Sequence, residues 1–393
     1  MSKYFLFLLA VFLLLLSCQE DTELDPTFYH CVPHADNNNQ HPQAKELQSL
    51  IQSIVKAGVP GMMLSVHDEL HGYWSGAYGV ADLRSAVIIQ PCQMTRVGST
   101  VKTFTAVVIM LLQEEGLLSI DDLITVYLSD DDLLGIKNSQ LVTIRQLLHH
   151  SSGIYNYILN AKFQTASLND LKKVWQPEEL LAYAHGKEPY FAPGQDVRYS
   201  NTNYVLLGMI IEKVLGQPLH QIFRDKIFRP LELSATRFAA QDPVPPGIIR
   251  GYVDFYSNLN LINATYYSGW DYYTADWGLI SNAHDLNKFL TQLFQGKILQ
   301  DKSLQDMLTW RLPVENDPEN FKTYYGLGLF KIETDYGDAY IHSGDAIGYY
   351  ASMVYFPAQK RTISWAVNAN YGRIDQYTQT KEAMHRIFRV ILD

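Results

Sequence analysis

A serine and a lysine three positions apart, Ser99 and Lys102, open an apolar run at 103–112. Residues i and i+3 share one face of a helix, so the Lys102 ammonium can lie against the Ser99 hydroxyl. A serine hydroxyl is a weak nucleophile at neutral pH until a neighbouring base takes its proton. A lysine among apolar groups loses its own proton more readily, because burial disfavours the charged form, and can serve as that base. At a helix N-terminus Ser99 would also meet unpaired backbone N–H groups and the positive end of the helix dipole, which favour developing negative charge. The pair therefore suits acyl transfer through a covalent serine intermediate. Ser-x-x-Lys is short enough to arise by chance, so the rest of the chain has to supply its partners.

Two further triplets do so. Tyr199-Ser200-Asn201 follows the turn signal Phe191-Ala192-Pro193-Gly194 and precedes a helix predicted over 202–215. A loop position of this kind suits a site. His342-Ser343-Gly344 follows a strand-like 338–341 and precedes a β-rich stretch at 349–355. The elements that must hold these triplets are also readable. Leu47, Leu50, Ile51, Ile54 and Val55 predict a helix from Ala44, ended by Gly58 and Pro60. Strands follow at 62–66 and 72–78, and Gly116 marks the end of the Ser99 helix. From about 117 to 250 the pattern is helical with long loops. From about 251 it returns to strands, flanked by a helix at 285–294 with Leu286, Phe289, Leu290 and Leu293 on one face and closed by a helix at about 376–392. The pattern predicts an α/β (α+β) chain with a mostly helical domain inserted at about 117–250.

The order Ser-x-x-Lys, Tyr-x-Asn, His-x-Gly resembles the serine beta-lactamase and penicillin-binding-protein superfamily, in its class C-like branch. That branch also holds D-alanyl-D-alanine carboxypeptidases, D-aminopeptidases and esterases. Gly58-Val59-Pro60-Gly61, Gly79-Val80-Ala81-Asp82, Glu115-Gly116-Leu117-Leu118 with Asp121-Asp122, 147–153, and Gly278-Leu279-Ile280-Ser281 with Asp285-Leu286 are similar in order and spacing. The resemblance thus covers nearly all of the chain after residue 45. It implies a beta-lactamase/transpeptidase-like fold: an antiparallel sheet flanked by helices, with the site at the seam. It also implies roles. Ser99 attacks a carbonyl and Lys102 receives its proton; Tyr199, acidified by Lys102, acts as a second base and then protonates the leaving group. Asn201 orients Lys102 and holds a substrate amide, while His342, Ser343 and Gly344 bind substrate along a strand. The backbone N–H groups of Ser99 and Asp345 form the oxyanion hole. No metal or cofactor is required.

The chain departs from beta-lactamases at two of these positions. His342 stands where those enzymes usually carry lysine, and its ordinary pKa of about 6.5 leaves it largely neutral above pH 7. Asp345 adds an acid where many relatives have a small neutral residue. Both changes predict that neutral esters or amides are better substrates than carboxylate-bearing lactams.

The net charge of −10 and the lack of a dense Lys/Arg run argue against nucleic acid as a partner. The remaining classes are an inactive module of the same fold that binds cell-wall peptides and, more remotely, a zinc protease suggested by His67-Asp68-Glu69-Leu70-His71. In the latter, Asp68 stands where the zinc signature needs its glutamate, and the flanking alternation reads as a hairpin turn. His149-His150 reads as a structural turn near the cleft. The tyrosine pairs at 266–267, 272–273, 324–325 and 349–350 either line a pocket or pack with a wet hydroxyl.

Lys3 precedes an apolar run at 4–16, too short to span a bilayer comfortably and right for a signal-peptide core. Leu15-Leu16-Ser17-Cys18 resembles a bacterial lipobox. The expected organisation is a signal peptide at 1–17, a lipidated Cys18, a polar tether at 18–43 and a hydrolase domain at 44–393, anchored in the cell envelope. With Cys18 assigned to lipid, Cys31 and Cys92 remain as an even pair, open to bridging in an exported, oxidising setting.

Overall fold

Leu47, Leu50, Ile51 and Ile54 bury one face of a helix, α1 (Ala44–Lys56). They pack on a sheet whose strands alternate faces as period-two geometry requires. The computed structural model describes residues 31–170, 173–239, 241–242, 248–267 and 274–393. Its main sheet contains β1 (Gly61–Asp68), β2 (Gly72–Asp82), β3 (Val87–Ile88), β4 (Thr323–Tyr325), β5 (Phe330–Thr334), β6 (Gly337–Ala346), β7 (Tyr349–Phe356) and β8 (Arg361–Val367). The order is β3-β2-β1-β8-β7-β6-β5-β4 and every pairing is antiparallel. Met62, Leu64 and Val66 of β1, with Ile363, Trp365 and Val367 of β8, join α1 and the closing helix in one core; Met63 and Ala366 face the other core. Among the described residues no helix is long and apolar enough to cross a membrane.

Four more helices matter for the site: α2 (Val101–Glu114), α3 (Asn201–Leu215), α4 (Ala283–Phe294) and α5 (Lys381–Leu392). α2 is buried on every side over its first ten residues, which marks it as the central helix between the sheet layer and the helical part. Phe104 of α2 stacks on Phe289 of α4 with centroids 3.6 Å apart, tying it to the helix that covers β1, β8 and β7.

The N-terminal boundary differs from the sequence expectation. Residues 31–43, read as part of a polar tether, are docked on the body. Cys31 and Cys92 are bridged, with Cα atoms 5.6 Å apart. Asn37 accepts from the Ser75 N–H at 2.7 Å, the His34 ring stacks on His284 at 3.8 Å, and His41 meets buried Asp68 at 3.1 Å. Polar composition misled here because these side chains are satisfied by partners on β1, β2 and α4 rather than by water. The closing helix is also broken: Thr380 leaves helical geometry and its hydroxyl accepts from the Ala383 N–H, so it starts α5 afresh. Tyr349 and Tyr350 are core residues, the Tyr349 hydroxyl donating to the Ile249 carbonyl at 2.9 Å. The 272–273 pair and the 1–30 segment, with Cys18 and the signal, lie outside the described residues.

Candidate active site

Ser99 sits in a single helical turn, Gly98–Thr100, that leads straight into α2. The turn follows a small three-stranded sheet of Thr95–Arg96, Arg237–Phe238 and Leu279–Ser281, to which the Val97 N–H ties it through the Leu279 carbonyl at 3.3 Å, and it packs against β6 and β7. The approach to β6 is close enough to demand glycine on both sides. A Cβ on Gly344 would lie 2.0 Å from the Val97 carbonyl oxygen, and one on Gly98 (φ +49°) would lie 2.4 Å from that of Asp345. The same two virtual atoms would lie 2.6 Å from the Ser99 nitrogen and 2.9 Å from the Asp345 nitrogen, so both amides border one seam.

Lys102, the second residue of α2 and one turn on from Ser99, is fully buried. Its ammonium nitrogen donates to Ser99 Oγ at 2.9 Å and to the backbone carbonyl of Asp276 at 2.7 Å. Tyr199 places its ring 5.0 Å from Lys102 Nζ, and its phenol hydrogen-bonds Ser99. The Tyr199 ring rests on His150, at 4.5 Å, whose Nδ1 accepts the Ser200 N–H at 3.1 Å. Asn201 opens α3 and is buried. Its backbone N–H and side-chain amide both donate to Asn156 Oδ1, at 3.0 and 3.3 Å, while its own Oδ1 has no partner. Ser99, Tyr199, Asn201, His342, Ser343 and Asp345 line one cleft of about 450 Å³.

Burial sets the electrostatics of the seam. It lowers the Lys102 pKa to about 7, partly offset by the nearby Asp276 carboxylate. The same burial, with the Lys102 charge adding to it, lowers His342 to about 3. His342 is therefore neutral; its Nδ1–H donates to the Ser343 carbonyl at 2.8 Å, which leaves Nε2 as a bare acceptor with no partner. Tyr199 goes the other way from the sequence expectation. Burial pushes its phenol well above the ordinary value, and its hydrogen bond with Ser99 only partly offsets that. Burial thus favours the protonated form of the Tyr199 phenol and the neutral form of Lys102.

The sequence expectation for Asn201 changes too. It does not hold Lys102, whose second partner is the Asp276 carbonyl. Asp276 was not foreseen, although it lies just upstream of the Gly278–Ser281 match; no local spacing flags a carbonyl that meets Lys102 across 174 positions. Asn156 has no such signal either, while His150, expected in a structural turn near the cleft, supports the Tyr199 ring and the Ser200 N–H there. Asp345 accepts from Asn370 at 3.3 Å rather than pairing with a cation such as Arg373. Its side chain opens to the cleft, yet protein crowds it enough that desolvation raises its pKa. His67 and His71 fall on a hairpin, not on one helical face. His67 packs on Tyr73, and among the described residues the cluster with metal-ligand proximity is instead His41, Asp68 and His71. There Asp68 already accepts from the Leu70 and His71 N–H groups and both rings, with Arg361 at 3.5 Å, a hydrogen-bonded hub.

A serine beside a desolvated lysine thus sits at the seam of a helix-flanked antiparallel sheet, and the fold is beta-lactamase/transpeptidase-like. The beta-lactamase family model matches residues 47–384, and the chain belongs to that family, within the serine beta-lactamase and penicillin-binding-protein superfamily of serine hydrolases. Penicillin-binding protein 4* of Bacillus subtilis is 27% identical over 362 residues, covering 88% of this chain and 76% of that one. Teichoic acid D-alanine hydrolase of Staphylococcus aureus is 24% identical over 69% of this chain and 62% of its own length; other curated relatives are spanned over as little as 38%. A solved D-stereospecific amidohydrolase from Streptomyces superposes with a TM-score of 0.73 at 29% identity, covering 85% of this chain and 98% of that one.

Proposed function

We propose that the protein hydrolyses an ester or amide through an acyl-enzyme on Ser99. The Ser99 oxygen attacks the substrate carbonyl while Lys102, neutral in a large fraction of molecules near pH 7, takes the hydroxyl proton. The oxyanion is met by the Ser99 and Asp345 N–H groups. As the bond to the leaving group breaks, the Tyr199 phenol donates a proton to it and is recharged from Lys102. Water then attacks the acyl-enzyme by the reverse relay and frees Ser99. Asn201 Oδ1 and the strand residues His342, Ser343 and Gly344 hold the substrate.

The observation that carries this reading is the 2.9 Å contact between Ser99 Oγ and a buried lysine whose pKa is lowered to about 7. A module that only binds cell-wall peptides gains nothing from a neutral lysine held on a serine. Relatives named as a penicillin-binding protein, a teichoic acid D-alanine hydrolase and a D-stereospecific amidohydrolase support cell-wall-derived or D-amino compounds as the substrates to try first. The disulfide fits an exported protein, consistent with a signal at 1–17, lipidation of Cys18 and a place in the bacterial cell envelope. The test is a panel of neutral esters, aminoacyl amides, a D-Ala-D-Ala peptide and nitrocefin with wild type and Ser99→Ala. Turnover that depends on Ser99, with neutral esters or amides ahead of nitrocefin, is the expected result.

A further inference from the structure

Beyond Ser99, the cleft is unusually rich in acceptors. The Asp345 carboxylate opens into it, next in the chain to the Gly344 that meets the Ser99 turn. Among the described residues the neighbours acting on Asp345 are two amides, Asn370 and Gln379, and no lysine or arginine contributes. Gln379 also donates to Asp375 at 2.8 Å, and Asp375 feels the like charges of Asp345 and Asp254 but no cation. Its pKa is raised to about 6, first by burial and then by Asp345. Lys381 lines the same cleft, but its ammonium is turned to the Asn320 carbonyl at 3.5 Å and the Phe321 ring at 5.6 Å.

Two independent observations point the same way. Asn201 is 4% exposed and lines the cleft, and its buried Oδ1 has no hydrogen-bond partner. His342 is 2% exposed, and its Nε2 is an acceptor for the tautomer reason given above, also without a partner. Buried acceptors left open cost stability unless something supplies donors. A carboxylate with no counter-charge and two unpartnered neutral acceptors call for a group that is positively charged and carries several N–H bonds.

Resting on the acyl-transfer reading above, we propose that Asp345, backed by Asp375, is a specificity subsite for a substrate ammonium, so that the preferred acyl group is an aminoacyl group with a free α-amine. The α-nitrogen of such a group is two bonds from the scissile carbonyl carbon. A carbonyl oxygen held on the Asp345 N–H therefore brings the ammonium beside the side chain of the same residue. The three N–H bonds of an ammonium are shared among the Asp345 carboxylate, Asn201 Oδ1 and water or His342 Nε2. A carboxylate-bearing substrate meets repulsion at the same place.

The test compares alanine p-nitroanilide, as both enantiomers, with propionyl p-nitroanilide, which has the same skeleton and no charge, in wild type, Asp345→Asn and Asp375→Asn. The readout is the ratio of kcat/KM for the two substrates, which a general loss of activity does not move. The expected ratio for the better enantiomer favours the ammonium by on the order of 10-fold, a screened fraction of a unit-charge attraction at an effective dielectric of about 20. Asp345→Asn collapses it toward one, and Asp375→Asn lowers it less. Turnover of both substrates with a wild-type ratio near one, or a ratio unchanged in Asp345→Asn, overturns the subsite. No turnover of either, together with no covalent labelling of Ser99, overturns the hydrolase reading instead.

Discussion

Around Ser99, buried polar atoms are left open; around Asp68 of β1 and His284 of α4, where the N-terminal segment docks, the histidine rings are closed by partners. Both places gather histidines and carboxylates. At the site, Asn201 Oδ1, His342 Nε2 and Ser200 Oγ have no hydrogen-bond partner among the described residues. At the segment, both ring nitrogens of His41 and of His284 are engaged: His41 with Asp68 and the Gln43 N–H, His284 with Asp36 at 3.0 Å and Ser75 at 3.0 Å. Asp68 shows the consequence. Burial alone would raise its pKa, but the hydrogen bonds from His71, His41 and Leu70 hold it below the usual carboxylate range. Lys102, buried with too little compensation, shifts toward its neutral form instead. A histidine cluster closed by its own hydrogen bonds is therefore a poor guide to a reactive site in this chain.

The largest effect expected from breaking this contrast is at Lys102. Lys102→Ala should lower kcat/KM by several powers of ten, as removal of one member of a catalytic unit does. In the wild type, kcat/KM should rise with pH through about 7, because the lysine must lose its proton to act as base. A pH profile flat from 5.5 to 8.5 would remove Lys102 from that role.

Next comes the disulfide. The two cysteines are separated by 61 positions, and a loop of that length corresponds to a chain-entropy limit of about 4 kcal/mol. Cys31→Ser with Cys92→Ser should lower Tm by several degrees and leave kcat/KM within about twofold, since the segment is held on β1, β2 and α4. A large fall in kcat/KM at a temperature where the variant is folded would couple the two regions.

The smallest effect is at His41. His41→Ala leaves Asp68 with His71 and Arg361 and should cost about 1–3 kcal/mol in denaturant unfolding. A chelator should change neither stability nor activity. If EDTA lowers Tm, the His41–Asp68–His71 cluster is a metal site and the closed-network account of it fails.

What the sequence made legible follows from how local each signal is. Ser99 and Lys102 meet through one helical turn, and the amphipathic spacing in α1 and α4 is likewise written within a dozen residues. Tyr199, Asn201 and His342 were placed through resemblance, because their convergence depends on the seam and not on spacing. What escaped was non-local. The Asp276 carbonyl on Lys102 and the docking of residues 31–43 are side-chain agreements between distant segments. The direction of the Tyr199 shift depends on how dry the finished seam is, which no motif records.

The central claim, that these motifs form one acylating centre, is tested most directly by intact mass after treatment with a fluorophosphonate. A single adduct mapped to Ser99, lost in Ser99→Ala, is the predicted result. A folded protein that stays unlabelled, or carries its adduct on another serine, would contradict it.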